Sequence, residues 1–273
     1  MSAVEESGDL RSRQLLQFPA RSPVAPSIGR MIISPPGDGA MNMAIDDALL
    51  ASANVDSGPT LRFYRWAEPT LSLGYFQAIS SRCEHPPSSD LKLVRRASGG
   101  GAIIHDRELT YSLVVPLANH SSRGAATEIY RAVHTAFIDC LAGFGVSAQR
   151  FGDTGRAAHS DNAFLCFQRR NVEDLVVSGY KVLGSAQRRG ATGLLQHGSL
   201  LLAASAAAPE LPGLSELTSR RIDFDSLVDH LAAKLGAVCG VHWRIGNLSS
   251  GENFSAKSSL EEKFSALQWT VKR

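Results

Sequence analysis

The sequence predicts an α/β (α+β) chain in which a mixed, largely antiparallel sheet carries packed helices. Strand-like and helix-like patterns interleave along the chain, which sets aside all-helical and all-strand architectures. Several of the strands are joined by turns too short for a crossover helix, which sets aside a doubly wound parallel sheet. The composition is that of an ordinary folded chain, with 44% apolar and 20% charged among 273 residues. A chain of that length buries a proper core, as one large domain or two small ones.

Residues 1–27 mix charges, serines and prolines without periodicity and read as a disordered arm. From Ile28 the pattern becomes regular. Met41, Ala44, Ile45, Ala48 and Leu49 recur at helical spacing and predict an amphipathic helix. Strand-like runs follow at 60–66 and 70–75, separated by Pro69. The run 92–96 is a further strand and leads into Ser98-Gly99-Gly100-Gly101. Beyond it, 109–117 is strand-like, and 128–141 is helical up to Gly143 and Gly145. The segments 172–177 and 180–187 flank Ser178-Gly179 as a hairpin with a two-residue turn. A third strand, 193–203, lies beside it. The run 223–238 is a helix, and a last short one is expected over 259–267. The organisation expected is an arm at 1–27, one domain over 28–240, and a tail at 241–273 with a short helix.

Charge and cysteine usage narrow the function classes. A net charge of +2 is too small to imply a nucleic-acid or membrane partner. The most apolar stretch, 194–208, is interrupted by Gln196 and His197 and falls short of the ~20 residues that span a bilayer. Glu5, Glu6 and Asp9 occupy the N-terminus, where a signal peptide has an apolar core. Cys83, Cys140, Cys166 and Cys239 form no C-x-x-C pair, which suits reduced thiols and a cytoplasmic location. Cys239 and His242 have ligand-like spacing without a second pair, so no metal site is expected.

Four segments can carry chemistry. In Arg95-Arg96-Ala97-Ser98-Gly99-Gly100-Gly101-Ala102, ending in His105-Asp106, three glycines are costly to order unless backbone must approach a ligand closely. Their N–H groups can then face a phosphate or carbonyl oxygen while the arginines supply charge; the alternative is a flexible loop with solvated arginines. Cys166, between apolar neighbours, is either a small buried hydrophobe or a nucleophile, depending on whether its setting is electropositive. Lys181 begins the second hairpin strand. Alternation puts Lys181, Leu183 and Ser185 on one face and Gly184 and Ala186 on the other, leaving the burial of Lys181 open. Gly179 and Gly184 do not form a P-loop, because Ser185 stands where that motif needs lysine. His197, in Gln196-His197-Gly198-Ser199, reads locally as a satisfied core histidine or a ligand contact.

Taken in order, these segments resemble the lipoate–protein ligase and octanoyltransferase family. The resemblance covers roughly 30–235 and rests on Met41-Asn42-Met43-Ala44-Ile45-Asp46, Arg95-Arg96 with Ser98-Gly99-Gly100-Gly101-Ala102, His105-Asp106, Leu109-Thr110-Tyr111-Ser112, and Gly184-Ser185-Ala186-Gln187 with Gln196-His197-Gly198-Ser199. It implies a biotin/lipoate ligase-like catalytic domain of the class II synthetase-like kind over 28–240. Cys166-Phe167 and the fifteen positions to Lys181 are similar to the nucleophile segment of the Gram-positive-type octanoyl-[acyl carrier protein]:protein octanoyltransferases, as is the ending Glu262-Lys263-Phe264 through Trp269-Thr270. Asp47 departs from the glutamate many relatives carry there. The competing branch, an ATP-dependent ligase, forms an acyl-adenylate, requires Mg-ATP and usually has an accessory domain, for which the stretch after residue 238 is thin.

That resemblance implies a covalent route with no cofactor. Cys166 and Lys181 are the expected catalytic pair, an ammonium beside a thiol favouring the thiolate. The donor implied is octanoyl-acyl carrier protein. The acceptor implied is a lysine on a lipoyl domain, such as that of the glycine-cleavage H protein. Arg95 and Arg96 are expected to meet the donor's phosphate or acidic surface. Gly99, Gly100, Gly101, Ala102, Gly184, Ser185 and Ala186 are expected to line a narrow acyl slot, His197 to help orient the acceptor or the carbonyl, and Ser98, His105 and Gly198 to belong to the same substrate-binding set.

Overall fold

The computed structural model describes residues 27–117, 123–156 and 163–273; the arm expected at 1–27 lies outside them apart from Ser27. Strand β1 (Ser27–Ile33) leads into helix α1 (Gly39–Ala51), where Asp38 caps the first turn by accepting the Ala40 N–H at 2.9 Å. Then come β2 (Thr60–Tyr64), β3 (Thr70–Leu73), β4 (Lys92–Arg95), β5 (Ile103–His105) and β6 (Glu108–Pro116). Helix α2 (Arg123–Gly143) is followed by β7 (Gln149–Arg150), β8 (Leu175–Val177), β9 (Tyr180–Arg189) and β10 (Gly193–Leu201). The chain closes with α3 (Leu214–Thr218), α4 (Phe224–Cys239), β11 (Val241–Ile245), α5 (Ser250–Ser259), a π-helical turn (Leu260–Phe264) and α6 (Leu267–Thr270).

The large sheet has the order β11-β1-β2-β6-β10-β9-β8-β7, and a small one the order β4-β3-β5. In the large sheet β1 runs parallel to β2 and β11, and the remaining pairs are antiparallel, those of β8 with β9 and β9 with β10 as their short turns require. Alternate residues of β6 part to opposite faces. Leu109, Tyr111 and Leu113 join Phe137 of α2 and Leu231 of α4 in the main core. Val114 packs with Leu49 and Leu50 of α1 on the other side. With both faces covered, β6 is buried along nearly its whole length. Among the described residues no helix is long and apolar enough to cross a membrane.

The C-terminal segment differs from the expected tail. Val241–Ile245 alternates apolar and polar residues and extends the sheet beside β1, so the sheet continues past 240. The helix expected over 259–267 is instead the end of α5 and the π-turn, which the Ser265 N–H closes by donating to the Leu260 carbonyl. A capping box at Ser249 and Glu252 starts α5, a signal present in the sequence three residues apart. Glu252 also binds Arg30 of β1 at 2.8 Å. Burial alone would push the Glu252 carboxyl up, but the Arg30 hydrogen bond, the Ser249 N–H and Ser52 outweigh it and hold it at about 2. A depressed folded-state value stabilises above the unfolded value and is lost as pH falls. Acid titration should therefore remove part of the stability between about pH 4.5 and 2, and Glu252→Gln should abolish that part of the unfolding profile followed by circular dichroism.

Candidate active site

Two backbone bonds fix the cysteine segment to the glycine loop. The Ala102 N–H donates to the Phe164 carbonyl at 3.0 Å, and the Cys166 N–H to the Ala102 carbonyl at 2.7 Å. Cys166 is half-buried at the start of a single 3₁₀ turn, Cys166–Gln168. The other cysteines are unlike it. Burial pushes the Cys140 thiol up to about 11 and that of Cys239 up to about 12, and Cys83 is exposed on the surface. Cys166 differs from them in its setting, a buried ion pair whose ammonium stands beside the sulfur.

That setting is Lys181. Its Nζ lies 3.7 Å from Cys166 Sγ, 3.3 Å from the Cys166 carbonyl and 2.8 Å from Asp174 Oδ2. Lys181 and Asp174 are both buried. Ser178 (φ 51°) and Gly179 (φ 85°) form the predicted hairpin turn with both residues left-handed. The facial alternation expected for β9 does not hold, because β8 and β9 slip register between Leu175 and Val176. Such a bulge turns successive side chains to new faces. It sends Val182 and Leu183 together into the core and points Lys181 toward Gly184. A Cβ at residue 184 would stand 2.6 Å from Lys181 Cε. Gly184→Ala should therefore displace the amine and slow thiol acylation by on the order of 10²-fold, measurable as the rate at which the protein takes up an acyl group from an activated thioester.

Arg95 and Arg96 do not serve as expected. The Arg95 guanidinium is fully buried and donates to the carbonyls of Gly74 (2.9 Å), Gln77 (2.7 Å) and Thr270 (2.8 Å). It clamps α6 against β4 and offers nothing to a phosphate. Arg96 donates to the carbonyls of Ser72 (2.9 Å), Gly99 (3.3 Å) and Gly101 (2.8 Å), and burial pushes it down to about 10. A buried guanidinium must satisfy its donors on nearby acceptors, and here those acceptors are the glycine loop itself. Arg96 sculpts that loop and reaches the cavity wall. Gly100 is left-handed (φ 99°), and a Cβ at Gly74 would overlap its carbonyl oxygen, so both positions need glycine.

The remaining predicted residues mostly converge on one cavity of about 470 Å³, open mouth included. Gly99, Gly100, His105, Gly184, Ser185, Ala186, His197 and Gly198 line it with Cys166 and Arg96. Gly101 and Ala102 stand behind that wall and hold the Cys166 segment, and Ser98, next to Gly99 of the wall, brings its Oγ to 2.6 Å from His197 Nε2. His105 is sandwiched between Ser72 Oγ and Glu108, each at 2.7 Å, and stacks 3.8 Å from Trp66; burial pushes its ring down, toward the neutral form. The cavity floor is a row of residues in register across four strands, Gly184–Ser199–Thr110–Tyr64. At ~4.8 Å per strand that row spans roughly 14 Å, room for an extended medium-length acyl chain running from Cys166 toward Tyr64 and Met43.

Sequence reasoning missed several members. Asp174, the partner of Lys181, is an unremarked acid just before the hairpin. Asp46 lay in a quoted motif but was given no role; it accepts from Arg62 (2.9 Å), Ser112 (2.9 Å) and Tyr64 (3.0 Å) and lies 3.1 Å from His197 Nδ1. Burial pushes its carboxyl up, yet the His197 hydrogen bond, Arg62 and Ser112 together hold it below the usual carboxylate value. No local signal marked it, because Asp46 lies off the Met41, Ala44, Ile45, Ala48 and Leu49 stripe and is buried by its partners in β2, β6 and β10. Asp47, beside it, faces outward and ties Arg188 (2.9 Å) to Lys263 (3.0 Å) of the C-terminal segment.

Comparison with known proteins shows the family of the chain and agrees with the fold. The family model described as the lipoyl protein ligase A/B catalytic domain matches residues 38–251. Octanoyltransferase LipM of Kyrpidia tusciae is 32% identical over 273 aligned residues, covering 89% of this chain and 98% of that protein. The protein of the same name from Moorella thermoacetica is 32% identical, covering 85% of this chain and 93% of its own. Among solved structures, protein Ta0514 of T. acidophilum with bound lipoic acid superposes with a TM-score of 0.73 at 21% identity, over 89% of this chain and 99% of that one. A lipoate-protein ligase A bound with ATP gives 0.72 at 21% identity, over 89% and 98%. At such identities the structures speak for the fold, which is the mixed, largely antiparallel one expected. The matched span and the near full-length relatives settle the family: this chain is a member of the lipoyl protein ligase A/B catalytic domain family.

Proposed function

We propose that this chain is an octanoyltransferase of protein lipoylation, working through a thioester on Cys166. The observation that carries the reading is the Lys181 ammonium 3.7 Å from the Cys166 sulfur, at the wall of a cavity long enough for an octanoyl chain. The names of the two near full-length relatives support the same activity. The thiolate attacks the carbonyl of a carrier-bound thioester, and the carrier's sulfur leaves with the electron pair. A lysine on a lipoyl domain then attacks octanoyl-Cys166 and takes the acyl group as an amide. Exchange between thioesters is nearly balanced, and the amide draws the sequence forward without nucleotide. Octanoyl-acyl carrier protein is the donor proposed, and the glycine-cleavage H protein is one suitable acceptor. Burying six methylenes favours medium chains over short ones by roughly 5 kcal/mol. The four free cysteines are consistent with a reducing, cytoplasmic setting.

Intact-mass analysis after mixing with octanoyl-acyl carrier protein tests this. One octanoyl group should appear on the protein, independent of Mg-ATP and released by hydroxylamine. Cys166→Ala should take up none and lose transfer by on the order of 10⁴-fold. Acylation of the acceptor that requires Mg-ATP and survives Cys166→Ala would establish the ligase reaction instead.

A further inference from the structure

We infer that His197, held by Asp46 and reached through Ser98, is the base that takes the proton of the acceptor ammonium in the second half of the transfer. The inference rests on the octanoyl-transfer reading above. Only that half needs a base. Exchange of one thioester for another at a thiolate moves no proton, whereas a lysine that becomes an amide must shed two.

Lys181 is badly placed for the task. An ammonium has three N–H donors, and Asp174 Oδ2, the Cys166 carbonyl and the Cys166 sulfur account for three. It is a fixed cation beside the sulfur and has no lone pair to offer.

His197 has one. A carboxylate only accepts, so Asp46 Oδ2, 3.1 Å away, requires the proton on Nδ1. Nε2 of the neutral ring is then an acceptor, and it receives the Ser98 hydroxyl at 2.6 Å. All three side chains are at least nine-tenths buried. The serine–histidine–aspartate order matches that of hydrolase triads, which are recognised by geometry and roles. Arg62 and Ser112 hold Oδ1 of Asp46 and Tyr64 donates to Oδ2 beside His197, so the carboxylate that orients the ring is itself fixed. His197 lines the same cavity as Cys166, and Ser98 adjoins Gly99 of its wall.

The acceptor ammonium becomes an amine by giving one proton to Ser98 Oγ as the Ser98 proton passes to His197 Nε2, a step that an amine already unprotonated does not need. The nitrogen lone pair then forms the bond to the thioester carbon. The second proton passes from that nitrogen to water. The C–S bond breaks with its electron pair on Cys166, where Lys181 receives the thiolate, and the imidazolium returns its proton to solvent.

The test separates the two halves. His197→Gln and Ser98→Ala are each mixed with octanoyl-acyl carrier protein and the adduct followed by intact mass. The isolated adduct is then given either a lipoyl-domain acceptor or hydroxylamine, an amine unprotonated at neutral pH. The expected result is adduct formation within about threefold of the unaltered protein, transfer to the lysine slowed by on the order of 10²-fold, and unchanged release by hydroxylamine. Equal slowing of lysine and hydroxylamine reactions would overturn the inference in favour of a structural role, as would slowing confined to adduct formation, or transfer at the normal rate. If the unaltered protein forms no adduct, it is the thioester reading that fails.

Discussion

Lys181→Met is expected to slow formation of octanoyl-Cys166 by roughly 10²- to 10³-fold, and to weaken the fold at the same time. The two losses have different origins. Catalytically, the variant removes the ammonium that stands 3.7 Å from the Cys166 sulfur; placing charge beside a reacting nucleophile in a water-poor site is typically worth ~3–4 kcal/mol. Structurally, it leaves the Asp174 carboxylate buried without its 2.8 Å partner, and stripping one member from a buried ion pair costs about 3–5 kcal/mol. Lys181→Met with Asp174→Asn separates them. Neutralising both partners should return most of the stability, read as the urea midpoint, while adduct formation stays slow. Recovery of the rate along with the stability would mean that Lys181 acts only as a structural partner of Asp174.

How much of this was legible in the sequence varies with the physics involved. α1, β2, β6, α2 and the hairpin could be read, because a repeating apolar face and a Ser-Gly turn are local signals. The convergence of Cys166, the glycine loop, the hairpin and His197 on one cavity was read through resemblance, and the observed register across β9, β10 and β6 agrees with it. What failed was whatever depends on partners far along the chain. Arg95 looked free for a phosphate because its acceptors, Gly74, Gln77 and Thr270, come from a loop and from the far terminus. The facing of Lys181 was misjudged because a bulge set by β8 overrides strand alternation in β9. Asp174 and Asp46 went unassigned because a carboxylate's role depends on which cation it meets, and neither cation is a neighbour in sequence. The C-terminal strand was missed for a related reason: five residues gain strand character only by pairing with β1 at the opposite end of the domain.

Asp46→Ala is expected to destabilise the protein by about 3–5 kcal/mol, the cost of stranding a buried charge, or a fall in Tm of roughly 10 °C at this size. The charge stranded is Arg62, whose side chain is fully buried. Its guanidinium donates to Asp46 Oδ1 (2.9 Å), Ser34 Oγ (2.9 Å), Asn42 Oδ1 (2.7 Å) and the Asn42 carbonyl (3.2 Å), and it lies 3.9 Å over the Tyr64 ring. Asp46 supplies the only formal negative charge in that set. Asp46→Asn keeps the shape and some hydrogen bonds, so its loss should be smaller. Arg62→Met with Asp46→Leu removes both charges and should recover much of the stability, since apolar replacements of a buried pair are often neutral. The double variant should nonetheless remain defective in transfer to the acceptor lysine, because His197 would lack the carboxylate that fixes its Nδ1 proton. Differential scanning calorimetry and transfer assays on the same preparations distinguish these outcomes. If the double variant were both stable and fully active, the buried carboxylate would have no part in the chemistry and would serve only to neutralise Arg62.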